Sequence, residues 1–138
     1  MRKLNCILLV DDNMDDNLAN TSVIMEVDAA HQIKTARNGG TALEYLEMSK
    51  QDPIQYPFPE LIFLEINMPR VDGFQFLEKM GEESLLSVVL PIVVVLTNSV
   101  NLNYENIAKK KFSNQITIFA KKPLTTEMLT DIIHKFFW

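Results

Sequence analysis

Cysteine, tryptophan and histidine are scarce in this 138-residue sequence: one, one and two residues. A lone cysteine, Cys6, excludes an intrachain disulfide. It lies in the apolar run Cys6–Val10 and reads as a small buried hydrophobe. Such sparse cysteine fits a reducing compartment, so a cytoplasmic location is expected. His31 and His134 have no metal-ligand spacing to any partner and are read as neither metal ligands nor phosphohistidines. Long apolar runs are missing too. The longest, Val88–Leu96, contains Pro91 and falls short of the ~18–20 residues a membrane helix needs. Met1-Arg2-Lys3 looks like the start of a signal peptide, but the run behind it stops at Asp11-Asp12, short of a ~7–15-residue apolar segment. Positive charge is in deficit: 13 Lys and Arg face 18 Asp and Glu, for a net charge of −5. An acidic surface repels phosphate backbones, which excludes a general nucleic-acid binder.

What is present is an ordinary globular balance of 47% apolar and 22% charged residues, which excludes a disordered chain. The length matches one domain on the usual scale of roughly 100–200 residues. There is no repeat, low-complexity segment or linker. One domain over residues 1–138, with no output domain, is expected.

Three apolar runs, Cys6–Val10, Leu61–Leu64 and Ile92–Leu96, are continuous rather than alternating. That pattern suits strands covered on both faces, as in a parallel sheet. Gln32–Ala36 and Gln115–Ala120, rich in β-branched residues, are weaker strand candidates. Helical patterns lie between them. Asn13 can cap a helix with Asp16 three residues on, and Asp15 and Asp16 complement its dipole. Thr41 with Glu44, and Asp72 with Gln75, repeat that signal. Val100, Tyr104, Ile107 and Ala108 follow helical spacing, and a stripe of Met128, Leu129, Ile132, Ile133, Phe136 and Phe137 starts after Thr125. Lys50–Pro59, with three prolines, is expected to be an extended loop. Ile54, Tyr56 and Phe58 on it either form a contact patch or pack on the second helix. The order is βα five times over, which predicts an α/β fold with a doubly wound sheet.

In such a sheet, ligands bind beyond the carboxyl ends of the strands. Asp11-Asp12 follow the first predicted strand, Glu65 the third, Thr97 ends the fourth, and Lys121-Lys122-Pro123 follow the fifth. Clustered carboxylates repel unless a cation sits among them. Carboxylates with a backbone carbonyl suit Mg²⁺. A lysine and a hydroxyl opposite them suit an anion such as a phosphoryl group. Each residue alone is more often a cap or a solvated strand-end charge; the joint placement at four strand ends carries the reading.

At these residues the sequence resembles the receiver domains of two-component response regulators, from Leu4 to Phe137. The carrying motifs are Ile7–Asn13, Leu61–Gly73, Val95-Leu96-Thr97 and Phe119–Pro123. The resemblance implies a flavodoxin-like (βα)5 fold with a five-stranded parallel sheet in the order 2-1-3-4-5. It implies Mg²⁺ held by Asp11, Asp12, the residue at position 65 and the Asn67 carbonyl, and a phosphoryl group contacted by Thr97 and Lys122. It also implies a switch aromatic at Phe119 and a commonly cis Lys122–Pro123 bond. Expected partners are a histidine kinase or phosphotransfer protein. The face of the fourth helix, fifth strand and fifth helix, ending in Phe136-Phe137-Trp138, is expected to serve a homodimer.

One departure outweighs the agreements. The family's phosphoacceptor is an aspartate, and Glu65 stands in its place. The extra methylene moves the carboxylate by ~1.5 Å, and a ~1 Å misplacement can cost ~10²-fold in phosphoryl transfer. Asn98 follows Thr97, where the family has a small residue, and narrows access further. The expectation is an interaction module, not an enzyme, poorly or not phosphorylated. Glu65 either mimics the phosphorylated state or pairs with Lys122. The alternatives are a working phosphoryl carrier and, third, a Mg²⁺-dependent phosphohydrolase, for which no second acid or base is left at the rim.

Overall fold

A computed structural model describes residues 1–68, 73–82, 91–98 and 102–137. Ten elements alternate along the chain. The strands are β1 (Leu4–Val10), β2 (Ala30–Ala36), β3 (Leu61–Leu64), β4 (Ile92–Thr97) and β5 (Ile118–Lys121). The helices are α1 (Met14–Val27), α2 (Gly39–Gln51), α3 (Gly73–Glu82), α4 (Leu102–Lys111) and α5 (Thr126–Phe136). The strands form one parallel sheet in the order β2-β1-β3-β4-β5, as expected. No helix among the described residues is long and apolar enough to cross a membrane.

The continuous apolar runs are explained by two cores, one on each face of the sheet. Leu8, Val10, Ile62, Leu64, Val93 and Val95 point to one face, where Ala42 and Leu46 of α2 and Phe76, Leu77 and Met80 of α3 meet them. Ile7, Leu9, Leu61, Phe63, Val94 and Leu96 point to the other, against Ile24 of α1 and Leu129, Ile132 and Ile133 of α5. Every residue of β3 is buried, because both flanking strands and both helical layers cover it.

Local signals hold in part. Asn13 caps α1, its side chain accepting from the Asp16 N–H at 3.1 Å. Thr125 caps α5 in the same way through Met128. The cap of α2 is Asn38, which accepts from the Thr41 N–H at 2.8 Å, so Thr41 lies inside the first turn. Helix α2 runs on to Gln51, two residues into the stretch read as a loop. Strand β5 starts at Ile118 because the N–H groups of Gln115 and Ile116 bond back to the Phe112 carbonyl and close the end of α4. On α4, Ala108 is buried and Ile107 exposed. Asp72, Ser99, Val100, Trp138 and the side chain of Tyr104 lie outside the described residues. In the loop after α2, Tyr56 meets Tyr45 edge-on at 6.3 Å and Phe58 packs on the first core, while Ile54 is 91% exposed.

Candidate functional site

Register brings the site together. Val10 pairs with both Ala36 and Leu64, Leu64 with Val95, and Thr97 with Lys121. The ladder continues one step past the strands: Asp11 donates its N–H to Ala36, Glu65 to Val10, and Lys122 to Thr97. Asp11, Glu65, Thr97 and Lys122 therefore emerge at one rim. They line a pocket of about 340 Å³ together with Asp12, Asn13, Asp16, Asn67 and Asn98.

Lys122 sits at the centre of this charge. Its Nζ donates to Asp11 Oδ2 at 2.5 Å, Asp16 Oδ2 at 2.9 Å and Glu65 Oε1 at 3.2 Å. An ammonium has three protons to donate, so these carboxylates use them all. The lysine side chain is 5% exposed, and those of Asp11 and Glu65 are 6% and 9% exposed. Burial opposes charge on Lys122, but its hydrogen bonds to Asp11 and Asp16 and the charge of Glu65 outweigh it and hold the ammonium well above its ordinary pKa. Burial pushes the Asp11 carboxyl up, against the pull of Lys122 and of the Asn13 N–H at 2.9 Å. The Asp11 carbonyl accepts from the buried Asn17 side chain at 2.9 Å, which pins the turn into α1.

Glu65 is anchored at both oxygens. Oε1 reaches Lys122, while Oε2 turns back and accepts from the N–H groups of Ile66 at 3.0 Å and Asn67 at 3.4 Å. Thr97 is partly buried, and its hydroxyl makes no hydrogen bond among the described residues. The Lys122–Pro123 peptide bond is cis.

The family model for the response regulator receiver domain matches residues 7–134. The chain belongs to this family. Among curated relatives, the receiver domain is 27% identical over 123 residues to the probable methanogenesis regulatory protein FilR2 of Methanothrix harundinacea, covering 89% of this chain and 75% of that one. It is 28% identical over 133 residues to hybrid signal transduction histidine kinase L of Dictyostelium discoideum, covering 96% of this chain but 7% of the kinase. Its fold matches the crystal structure of a two-component response regulator from Cytophaga hutchinsonii with a TM-score of 0.84, at 24% identity and 97% of both chains.

Within this receiver domain the sheet gathers the residues singled out from sequence unevenly. Asp11, Glu65 and Lys122 form one hydrogen-bonded cluster. Asp12, Asn67 and Thr97 also line the pocket, the first two exposed and Thr97 partly buried. Phe119 is half-buried on the first core, away from the pocket lining. His31 and His134 are exposed. Asp16 joins the cluster although its sequence signals pointed only to the helix cap and dipole. The available signal was its place in the first helical turn, three residues after a cap that itself follows the acidic pair.

For Mg²⁺ the donor types fit and the arrangement does not. Carboxylates and a carbonyl are hard oxygen donors. Among the described residues, however, the carboxylates of Asp11, Asp16 and Glu65 converge on the Lys122 ammonium and not on an open cation position. The Lys122 ammonium stands as the counter-cation where Asp11 and Glu65 converge.

Proposed function

We propose that this receiver domain acts by protein contacts and accepts phosphoryl groups poorly or not at all. The observation that carries the reading is Glu65 at the acceptor position, with Oε1 on Lys122 and Oε2 on its own backbone amides. An attacking carboxylate oxygen must stand free and in line with the phosphorus. Here each oxygen is already engaged. The same geometry favours ion pairing over phosphoryl mimicry. A mimic would have to engage both Thr97 and Lys122, and Thr97 is unengaged among the described residues.

Partners of the histidine kinase or phosphotransfer class follow from what receiver domains contact. A homodimer through α4, β5 and α5 is proposed as well; Ile107 on α4 is an exposed apolar residue. Mg²⁺ at Asp11, Asp12, Glu65 and the Asn67 carbonyl is proposed only as a competitor of Lys122 for the same carboxylates. A second reading, the working phosphoryl carrier, draws support from the 340 Å³ pocket and the uncommitted Thr97 hydroxyl.

The test is intact-mass spectrometry after incubation with acetyl phosphate and Mg²⁺, on this chain and on Glu65→Asp. One added phosphoryl group on the Asp variant alone is the expected outcome. Labelling of the unmodified chain would overturn the reading in favour of the carrier. Two unlabelled proteins would mean that the pocket is misassigned or that Asn98 blocks it.

A further inference from the structure

Lys122 is the basic side chain lining the pocket, and all three of its protons are taken. An incoming anion can reach it only by displacing a carboxylate. The three carboxylates are not equally replaceable. Asp11 is 6% exposed, and its second oxygen is held by the Asn13 N–H at 2.9 Å. Glu65 is 9% exposed, and its second oxygen is held by two backbone amides. Asp16 is 30% exposed, and among the described residues its carboxylate takes no hydrogen bond other than that from Lys122. It also stands on a helix rather than at a strand end, so a change of side-chain rotamer moves it without moving the sheet.

We propose that Asp16 is an internal competitor: a positioning residue that occupies the third donor of Lys122 and must leave before a phosphoryl-type anion can bind. This goes beyond the acceptor chemistry of Glu65 and rests on reading the pocket as an anion site. In its terms, Asp16 sets how readily the pocket fills, and Glu65 sets whether a bond then forms. A part-exposed ion pair of this kind is worth a modest factor, so its removal should tighten anion binding about fivefold.

The experiment titrates inorganic phosphate, at constant ionic strength with Mg²⁺ present, into the unmodified chain, Asp16→Asn and Asp16→Glu. Binding is read from the backbone amide shifts of Thr97 and Lys122. Asp16→Asn keeps the shape of the side chain and leaves Asp15 in the first helical turn. The expected result is an about fivefold lower dissociation constant for Asp16→Asn, and no such gain for Asp16→Glu, which keeps the competing charge. A merely structural residue would weaken binding when replaced. Unchanged or weaker phosphate binding in Asp16→Asn, or equal tightening in Asp16→Glu, overturns the proposal. Acceptor chemistry is judged separately by labelling of Glu65→Asp. Tighter phosphate binding with no labelling retains Asp16 as competitor and removes the acceptor reading; labelling with unchanged phosphate binding does the reverse.

Discussion

Three carboxylates converge on Lys122, and two of them have little water to fall back on. Removing the lysine would leave Asp11 and Glu65 buried and uncompensated, which typically costs about 3–5 kcal/mol. Lys122→Met should therefore lower the unfolding free energy in urea by about 3 kcal/mol, the low end because the pocket is open on one side. Added Mg²⁺ should restore part of that loss in the variant and little in the unmodified chain. The pH dependence follows from the direction of the lysine shift. Its folded pKa lies above the ordinary 10.5, so its contribution is fully present below that value and is lost as pH rises past it. The stability gap between the unmodified chain and Lys122→Met should hold from neutral pH to about 10.5 and shrink above it. Asp11 has the same sign in a lower pH window. Burial raises its pKa, so the cost of ionising it is relieved as pH falls from that raised value toward 3.8.

The start of α3 presses on the segment that carries Glu65. A Cβ at Gly73 would stand 2.4 Å from Ile66 Cα and 2.8 Å from the Glu65 carbonyl oxygen, and the Gly73 N–H bonds the Ile66 carbonyl at 3.2 Å. Gly73→Ala should cost about 1–3 kcal/mol in denaturant unfolding and shift the amide resonances of Ile66 and Asn67. The glycine's motif was legible in the sequence; this close approach was not, because residues 66 and 73 meet only once the chain folds. Strand β3 was legible to the residue, since its apolar run is bounded by charge on both sides and buried on both faces. Strand β5 was not: Gln115–Thr117 looks extended by composition, yet hydrogen bonds to Phe112 claim its first residues for the helix end. Asn13 was readable as a cap because a cap is a local bond, and Thr41 was misplaced because Asn38 competes for the same role three residues earlier. At the site, strand-end placement found Asp11, Glu65, Thr97 and Lys122, while the side-chain directions that bring in Asp16 depend on how α1 leaves the sheet.

Across the whole molecule, the sheet divides the interior into two cores that meet few of the same side chains. Leu46 of α2 belongs to one and Leu129 of α5 to the other. Each substituted by alanine should cost about 2–5 kcal/mol. The double variant should match the sum within about 0.5 kcal/mol, because the two share no packing partner across the strands. At the pole opposite the pocket, Arg2 reaches the Glu60 carboxylate at 2.5 Å and lies 5.8 Å from the Phe137 ring. The first and last turns of the chain are thus neighbours, and the loop at Ile54 stands open to water. A short linker joining residue 137 to residue 2, with new ends cut at Ile54, should give a circular permutant that folds with its pocket intact. Whether the chain is cut at this pole or at that loop is then a convenience of synthesis, and what the fold needs is the adjacency that Arg2 already provides.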